Sequence, residues 1–378
     1  MKVVVAMDSF KGSLTSVEAG NAVKEGIQRV SPDAEILIKP LGDGGEGTAE
    51  ALLEGMGGRR ILKRVTGPMG RTVEAMYGIL PDNRTAVIEM AQAAGITLCR
   101  VKERNPMTAT TYGVGEMILD AMENGCRDFL VGIGGSATND GGIGLLTALG
   151  YEFLDRTGKK AGQGGGSLKD IGRIFCEKVP ADLAECRFHI ACDVSNPLCG
   201  PRGATYVFGP QKGASAEDLE VLEAGMRNYA ALTKEFAGTD YSGYPGAGAA
   251  GGLGFCFLAY LKGELMPGIR MVMEAVNLEE EIKDADYVIT GEGCLDGQSG
   301  MGKAPVGVAA LAKKYGKKVI AFAGSVTREA AECNRMGIDA FFPVLRGVVT
   351  LQEAMNPKNA ADNLKDTTEQ VFRLLADR

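Results

Sequence analysis

The chain has 378 residues and a net charge of −7, so it is long enough for two domains and too acidic to favour nucleic acid as a partner. Hydrophobic residues make up 45% of it, as in ordinary globular proteins, and no apolar run is long enough to span a membrane. The 54 glycines are about twice the average usage and cluster beside polar residues, which indicates ligand-binding loops.

Two strand–loop–helix units open the chain. Apolar runs over 3–6 and 36–38 predict strands of a parallel sheet, and a glycine-bearing polar loop follows each of them. Helices are predicted over 17–30, where Thr15 or Ser16 can cap the first turn, and over 49–56. Because strand–helix alternation brings successive loops to one edge of a sheet, we expect both polar loops at the same edge.

The pattern changes after Gly58 and stays changed up to about residue 284. β-like runs over 61–65, 73–79 and 85–89 are joined by turns without helices, so they should pair antiparallel. The rest of this region is predicted to contain helices over 112–124, 143–149, 216–236 and 255–261 and strands over 128–131, 151–154 and 187–192.

The parallel pattern returns near the carboxyl terminus, with strands predicted over 287–289, 318–322 and 340–344 and helices over 304–314, 328–335 and 360–375. The sequence therefore predicts an α/β protein of two domains. A parallel, Rossmann-like, three-layer domain comes from both termini, residues 1–65 plus 285–378, and a mixed α/β domain is inserted at 66–284. We expect the active site in the cleft between them.

The stretch from Tyr287 to Val306 carries the clearest functional signal. Its glycine-rich loop lies where ligands bind in open α/β sheets, beyond the carboxyl end of a strand. Glycines let backbone N–H groups approach an anion, and carboxylates can hold a divalent cation or accept a proton. Together these features indicate a phosphoryl-transfer site, with a flexible connector as the alternative. The polar side chains of the stretch include Glu292, Asp296, Gln298, Ser299 and Lys303.

Similar polar loops follow the other strands and contain Asp8 with Lys11, Asp43 with Glu46, Ser136 to Asp140, and Asp193. Any single aspartate there could be only a helix cap, but parallel strands bring several such loops to one rim. The segment from Gly132 to Ala137 also fits the G-x-G-x-x-A dinucleotide fingerprint, which favours a dehydrogenase. Against that reading, Ser136, Thr138, Asn139 and Asp140 make the segment unusually polar. A P-loop after a strand is absent, so the chain is not a P-loop kinase.

Histidine and cysteine usage narrows the chemistry. The one histidine, His189, lies in an apolar strand-like run, so a Ser-His-Asp triad or a histidine metal site is excluded and a base must be a carboxylate. The nine cysteines contain no C-x-x-C pair, which fits reduced thiols in a cytoplasmic protein. The amino terminus becomes polar too early for a signal peptide.

Six ordered segments resemble the signature segments of the type-1 glycerate kinases. They are Asp8-Ser-Phe-Lys-Gly-Ser, Pro40-Leu-Gly-Asp-Gly-Gly-Glu-Gly-Thr, Gly134-Gly-Ser-Ala-Thr-Asn-Asp-Gly-Gly, Cys192-Asp-Val-Ser-Asn-Pro-Leu, Gly246-Ala-Gly-Ala-Ala-Gly-Gly, and Gly291-Glu-Gly with Asp296-Gly-Gln-Ser and Gly302-Lys-Ala-Pro. The resemblance implies Mg²⁺-assisted phosphorylation of D-glycerate by ATP, with 2-phosphoglycerate as the usual product. It also implies no nucleic-acid or membrane partner and leaves a homo-oligomer open. The 2-position of the product comes only from the resemblance, so glycerate 3-kinase chemistry stays an alternative.

Residue types then suggest roles within this set. The catalytic candidates are Asp296, Asp193 and Lys11, and the metal ligands are expected among Asp193, Asp296 and Glu292. Substrate contacts are expected from Asp8, Ser9, Arg71, Asp43, Gln298, Ser299 and Lys303. Nucleotide phosphates are expected at Gly134, Gly135, Ser136, Ala137, Thr138, Asn139 and Asp140. The rival functions are an NAD-linked hydroxy-acid oxidoreductase and a non-catalytic protein that binds nucleotides or sugar acids.

Overall fold

The computed structural model describes residues 1–297 and 303–376. Its strands are β1 (Lys2–Met7), β2 (Glu35–Ile38), β3 (Arg59–Thr66), β4 (Thr72–Ile79), β5 (Thr85–Glu89), β6 (Asp128–Gly132), β7 (Glu152–Asp155), β8 (Ile171–Phe175), β9 (Arg187–Ala191), β10 (Glu264–Met266), β11 (Tyr287–Leu295), β12 (Lys318–Val326) and β13 (Ala340–Pro343). Its α-helices are α1 (Ser16–Gln28), α2 (Thr48–Met56), α3 (Ala91–Ala94), α4 (Tyr112–Glu123), α5 (Ile143–Ala148), α6 (Ala204–Phe208), α7 (Ala216–Ala237), α8 (Leu253–Leu261), α9 (Gly268–Ala275), α10 (Leu278–Lys283), α11 (Ala304–Lys314), α12 (Glu332–Arg335), α13 (Leu351–Ala354) and α14 (Pro357–Leu375).

Both ends of the chain contribute to one five-stranded sheet in the order β13-β12-β11-β1-β2. All of its neighbouring strands pair in parallel, as the apolar runs predict. Strands from the amino terminus therefore lie beside strands from the carboxyl terminus, and the predicted α/β fold with a domain built from both ends is confirmed. From β1 the chain adds β2 on one side, and from β11 it adds β12 and β13 on the other side. The strand order therefore reverses between β1 and β11, and open α/β sheets bind ligands at such a point.

Helices cover both faces of this sheet. Val3 and Val5 point into a core that also contains side chains of α1 and α14, while Val4 and Val288 point the other way and are fully buried as well. Helix α1 begins with a capping box between Thr15 and Glu18. Such continuous apolar strands need cover on both faces, which explains why strand and helix alternate along these parts of the chain.

The other sheet has six strands in the order β10-β9-β6-β5-β4-β3. β3, β4 and β5 pair antiparallel, as predicted from the absence of helices between them, and β5, β6, β9 and β10 pair in parallel. A separate two-stranded sheet consists of β7 and β8. Strands β8 and β10 were missing from the sequence prediction because each is short and only partly buried.

The chain divides into two compact units with boundaries that differ from the predicted 65/66 and 284/285. Unit 1 comprises Met1–Asp43, Glu50–Gly57 and Ile269–Arg378, and unit 2 comprises Gly44–Ala49 and Gly58–Gly268. Strand β3 belongs to unit 2 because it pairs along its whole length with β4. Ile269 belongs to unit 1, where it packs against Gly307 of α11. A site in a cleft between the units stays a prediction.

Strand β11 is longer than the predicted run over 287–289, and so is its neighbour β12. The two strands stay paired as far as Leu295 and Val326, so Glu292 lies in a strand and not in the loop assigned from sequence. Glycines allow this close pairing: a Cβ on Gly324 would lie 2.6 Å from the carbonyl oxygen of Gly293. The helix predicted over 328–335 is instead a 3-10 turn, Arg328–Ala331, followed by α12. Within the described residues, no helix combines the length and the apolar character that crossing a membrane requires.

Candidate active site

Unit 1 contains a cavity of about 380 Å³ at the carboxyl edge of its parallel sheet. Every strand of the sheet contributes to the lining, either at its last residues or through the loop that follows. The contributing residues include Asp8, Ser9, Phe10 and Lys11 after β1, Asp43 after β2, Glu292 and Cys294 on β11, Gly324 and Ser325 on β12, and Val344 and Leu345 after β13. The cavity therefore lies where the reversal of strand order predicts a ligand.

Asp8, the carboxylate that directly follows β1, is buried, with 8% of its surface exposed. Its Oδ1 accepts a hydrogen bond of 2.7 Å from the backbone N–H of Ser9. Burial is the main influence on this group and raises the pKa of Asp8 to about 6. The Ser9 hydrogen bond opposes the rise, whereas the negative charges of Asp43 and Glu292 add to it. A carboxylate with such a pKa can accept a proton near neutral pH.

Two lysines reach this group of carboxylates. Lys11 Nζ donates to Asp43 Oδ2 at 3.3 Å, and the negative charge of Asp43 raises the pKa of Lys11. Lys303 Nζ lies 3.5 Å from Asp296 Oδ1 and 3.9 Å from Glu292 Oε2. The structure thus brings together seven of the residues predicted from sequence: Asp8, Ser9, Lys11, Asp43, Glu292, Asp296 and Lys303.

Ser16 fixes the geometry of two of these loops, a role that the sequence prediction considered only as helix capping. Its hydroxyl donates to the carbonyl of Met7 at 2.7 Å and accepts from the N–H of Leu41 at 2.9 Å. One buried side chain therefore ties the end of β1 to the segment after β2. The actual cap of α1 is Thr15.

Arg71 and Asp193 belong to unit 2. The Arg71 side chain is largely exposed and lies 3.7 Å from Glu103 Oε2. Asp193 follows β9, and its Oδ1 accepts a hydrogen bond of 3.1 Å from the N–H of Gly268. Their assignments as substrate contact and as catalytic or metal residue stay predictions. Gln298 and Ser299 lie outside the described residues.

The predicted nucleotide loop, Gly134 to Asp140, is mostly buried in unit 2. The Asp140 carboxylate accepts hydrogen bonds from Thr111 and from the N–H groups of Gly142 and Gly144. Burial nevertheless raises the pKa of Asp140. Gly134 and Gly135 are exposed, whereas Ser136, Ala137, Thr138 and Asn139 are buried. Among the described residues, the buried atoms Thr138 Oγ1 and Asn139 Oδ1 have no hydrogen-bond partner.

The side chain of Lys212 contacts this loop through hydrogen bonds. The sequence prediction did not include this residue. It is 2% exposed, and its Nζ donates at 2.6 Å both to Ser136 Oγ and to the carbonyl of Thr138. Burial lowers the pKa of Lys212 to about 7, and the negative charge of Asp140 only partly opposes that effect. The one sequence signal for this residue is its position between Pro210 and Gly213 in a turn. Lysines in turns are usually exposed, so this position did not indicate a buried amine.

The dinucleotide interpretation of Gly132 to Ala137 is wrong. In that fingerprint the glycine-rich turn leads directly from a strand into a helix whose amino terminus holds the pyrophosphate. Here β6 ends at Gly132 and α5 begins only at Ile143. The intervening residues form a longer, largely buried loop, so the geometry for an NAD-type pyrophosphate is missing from this part of unit 2.

The site offers few side-chain donors for a metal ion. No group of three or more His, Cys, Asp or Glu side chains suited to a metal ion occurs in the part of the chain that the structure describes. Mg²⁺, however, is usually held by one or two carboxylates together with water and substrate phosphates. Glu292 and Asp296, which both lie within 4 Å of Lys303 Nζ, match that smaller requirement.

Comparison with known proteins identifies the family to which the chain belongs. Residues 3–376 match the model of the Glycerate kinase family. A Bacillus subtilis protein named glycerate kinase is 45% identical over 98% of this chain and 97% of its own length. An Escherichia coli protein named glycerate 2-kinase is 45% identical over 100% of this chain and 98% of its own. A crystal structure from Salmonella typhimurium LT2 that carries the name glycerate kinase 2 has a TM-score of 0.92 and 43% identity, and covers 99% of this chain and 98% of its own. The chain is a kinase that belongs to the glycerate kinase family.

Proposed function

We propose that this protein transfers the terminal phosphoryl group of ATP to the 2-hydroxyl of D-glycerate. The observation that carries the proposal is the cavity of unit 1, which two lysines and three carboxylates line at the reversal point of a parallel sheet, with Asp296 paired to one of these lysines, Lys303. Phosphoryl transfer requires cations for the phosphate charge and an acceptor for the hydroxyl proton. Membership of the family and the name of the Escherichia coli relative support the choice of substrate and of the 2-position.

In this proposal the lysines neutralise the anionic ligands. Lys11 and Lys303 each form an ion pair with a carboxylate, and these ion pairs keep both ammonium groups at the cavity. A phosphate or carboxylate oxygen can compete for these lysines because both ion pairs are partly exposed to solvent. The backbone N–H of Ser9 already orients Asp8, so a substrate hydroxyl can donate to the remaining carboxylate oxygen.

Asp8 is our choice for the acceptor of the hydroxyl proton. It lines the cavity and is almost completely buried, which leaves it basic enough to accept a proton near neutral pH. Glu292 and Asp296 would hold Mg²⁺, and Asp193 keeps its proposed role as a catalytic or metal residue. When bound, the ion would neutralise charge on the transferred phosphoryl group. The rest of the predicted substrate set, Arg71, Asp43, Gln298 and Ser299, keeps its proposed role of orienting glycerate.

A coupled assay of ADP release tests this function directly. With ATP and Mg²⁺ present, we expect turnover with D-glycerate and no turnover with 3-hydroxypropionate, which lacks the 2-hydroxyl that accepts the phosphoryl group. Omission of Mg²⁺ should abolish the reaction. Absence of ADP release with D-glycerate at saturating ATP would contradict the proposal.

All nine cysteines are free thiols, which supports the further proposal of a cytoplasmic location.

A further inference from the structure

One wall of the unit 1 cavity is apolar. Val344 and Leu345 follow β13, Leu351 and Ala354 lie on α13, and Met355 follows α13 directly. Every carbon atom of glycerate carries an oxygen, so this substrate has no apolar surface to place against such a wall. The wall therefore needs another explanation than binding of the phosphoryl acceptor.

This wall is also unusually exposed. The exposed fractions are 78% for Leu351, 38% for Leu345 and 36% for Met355. Exposed apolar patches of this kind mark places where a ligand or a partner binds. The patch and the charged part of the cavity are in contact, because a Cβ on Gly12 would lie 2.6 Å from Met355 Cε, and Gly12 follows Lys11 directly. Apolar and charged surfaces therefore belong to one cavity.

A ligand that fills both parts must be anionic at one end and flat and apolar at the other. A nucleotide has this character: its base offers two apolar faces and its phosphates offer negative charge. The volume of about 380 Å³ lies within the range of ~300–1,000 Å³ that is typical for sites of drug-sized ligands. Asn363, which also lines the cavity, carries a side-chain amide of the kind that pairs with the edge of adenine.

We propose that the wall formed by Leu345, Leu351 and Met355 binds the purine base of ATP, with the phosphates directed toward Lys11 and Lys303. This inference rests on the proposed kinase function and specifies where its nucleotide binds. It places the base in unit 1, whereas the sequence assigns the nucleotide to the loop Gly134 to Asp140 of unit 2. In that loop only Gly134 and Gly135 are exposed, so little of its surface is available to a base.

Calorimetric titration with ADP and with inorganic tripolyphosphate tests the proposal, because tripolyphosphate has the charges of the phosphate chain but no base. We expect the double variant Leu351→Ala, Met355→Ala to bind ADP at least about tenfold more weakly, as the loss of apolar contacts implies. Its affinity for tripolyphosphate should be unchanged. Val349→Ala is the matched control, since Val349 is exposed in the same segment but does not line the cavity.

The outcomes separate this inference from the function itself. Unchanged affinity for ADP in the double variant, or equal losses for ADP and tripolyphosphate, would overturn the inference. A raised KM for D-glycerate with unchanged ADP affinity would assign the wall to the acceptor, and a changed oligomeric state alone would make it an interface; either result overturns the base site. Titrations contain no glycerate, so a protein that binds ADP as predicted but releases no ADP from ATP refutes only the proposed function.

Discussion

Replacing Asp8 with asparagine should make the protein more stable and much less active. Asparagine keeps the shape of the side chain and an oxygen for the hydrogen bond from Ser9. It removes a negative charge that is buried beside Asp43 and Glu292. Functional sites often contain groups that destabilise the folded protein. A gain in stability when such a group is removed therefore indicates a functional role.

The size of the effect follows from proton linkage. The pKa of Asp8 is 3.8 in an unfolded chain and about 6 in the folded one, so the folded state binds more protons between these values. The free energy of unfolding contributed by Asp8 therefore falls as pH rises through this window. The destabilisation amounts to about 1.5 kcal/mol at pH 5 and about 3 kcal/mol at pH 8. Asp8→Asn should recover these amounts.

Urea unfolding of the wild type and of Asp8→Asn at pH 5 and pH 8, without nucleotide or Mg²⁺, measures the difference. Asp33→Asn is the control, because Asp33 is an exposed aspartate of the same unit and its removal should change stability by less than about 0.5 kcal/mol. A stability gain that is the same at both pH values, or absent at pH 8, would refute the reasoning. If Asp8 accepts the proton, kcat should also fall by about 10²–10⁴-fold.

Three further substitutions test other parts of the site. Asp296→Asn should lower kcat at saturating Mg²⁺ by about 10²-fold or more with little change in Tm, and near-normal turnover would remove Asp296 from the site. Lys303→Met should raise the KM for ATP or D-glycerate without loss of folding, since this partly exposed lysine has only carboxylate partners in the described part of the chain; a normal kcat/KM would contradict its role. Lys212 has a folded pKa of about 7 against 10.5 in the unfolded chain, so the unfolded state binds more protons between these values and stability should rise from pH 7 to pH 10. Lys212→Met should remove this rise in urea unfolding, and an identical slope in both proteins would show that Lys212 is not its source.

The sequence predicted the parts of the fold that depend on periodicity. Continuous apolar runs such as 3–6 are buried on both faces in the structure, and α11 runs from Ala304 to Lys314 as its pattern predicts. Strand ends were less predictable, since glycines and polar residues normally indicate a loop. Glu292 lies in β11 because the glycines of β11 and β12 allow the two backbones to stay paired, which depends on a neighbour far away in sequence.

Residues that line the cavity were predictable where they lie in the loop after a parallel strand, as Asp8 and Asp43 do. Burial could not be read from the local sequence, so the raised pKa of Asp8 and the buried amine of Lys212 appear only in the structure. The apolar wall was missed for a related reason. Leu351 and Met355 resemble ordinary core positions of a helix, and only the fold shows that they are exposed beside the charged end of the cavity.

The most direct measurement of the proposed activity is the identification by NMR of the carbon that receives the phosphoryl group. The protein is incubated with ATP, Mg²⁺ and D-glycerate, and the product is examined for coupling between phosphorus and the protons of each carbon. We expect coupling to the single proton on carbon 2, in step with ADP release. Coupling to the two protons on carbon 3, or ADP release without a phosphorylated glycerate, would contradict the account.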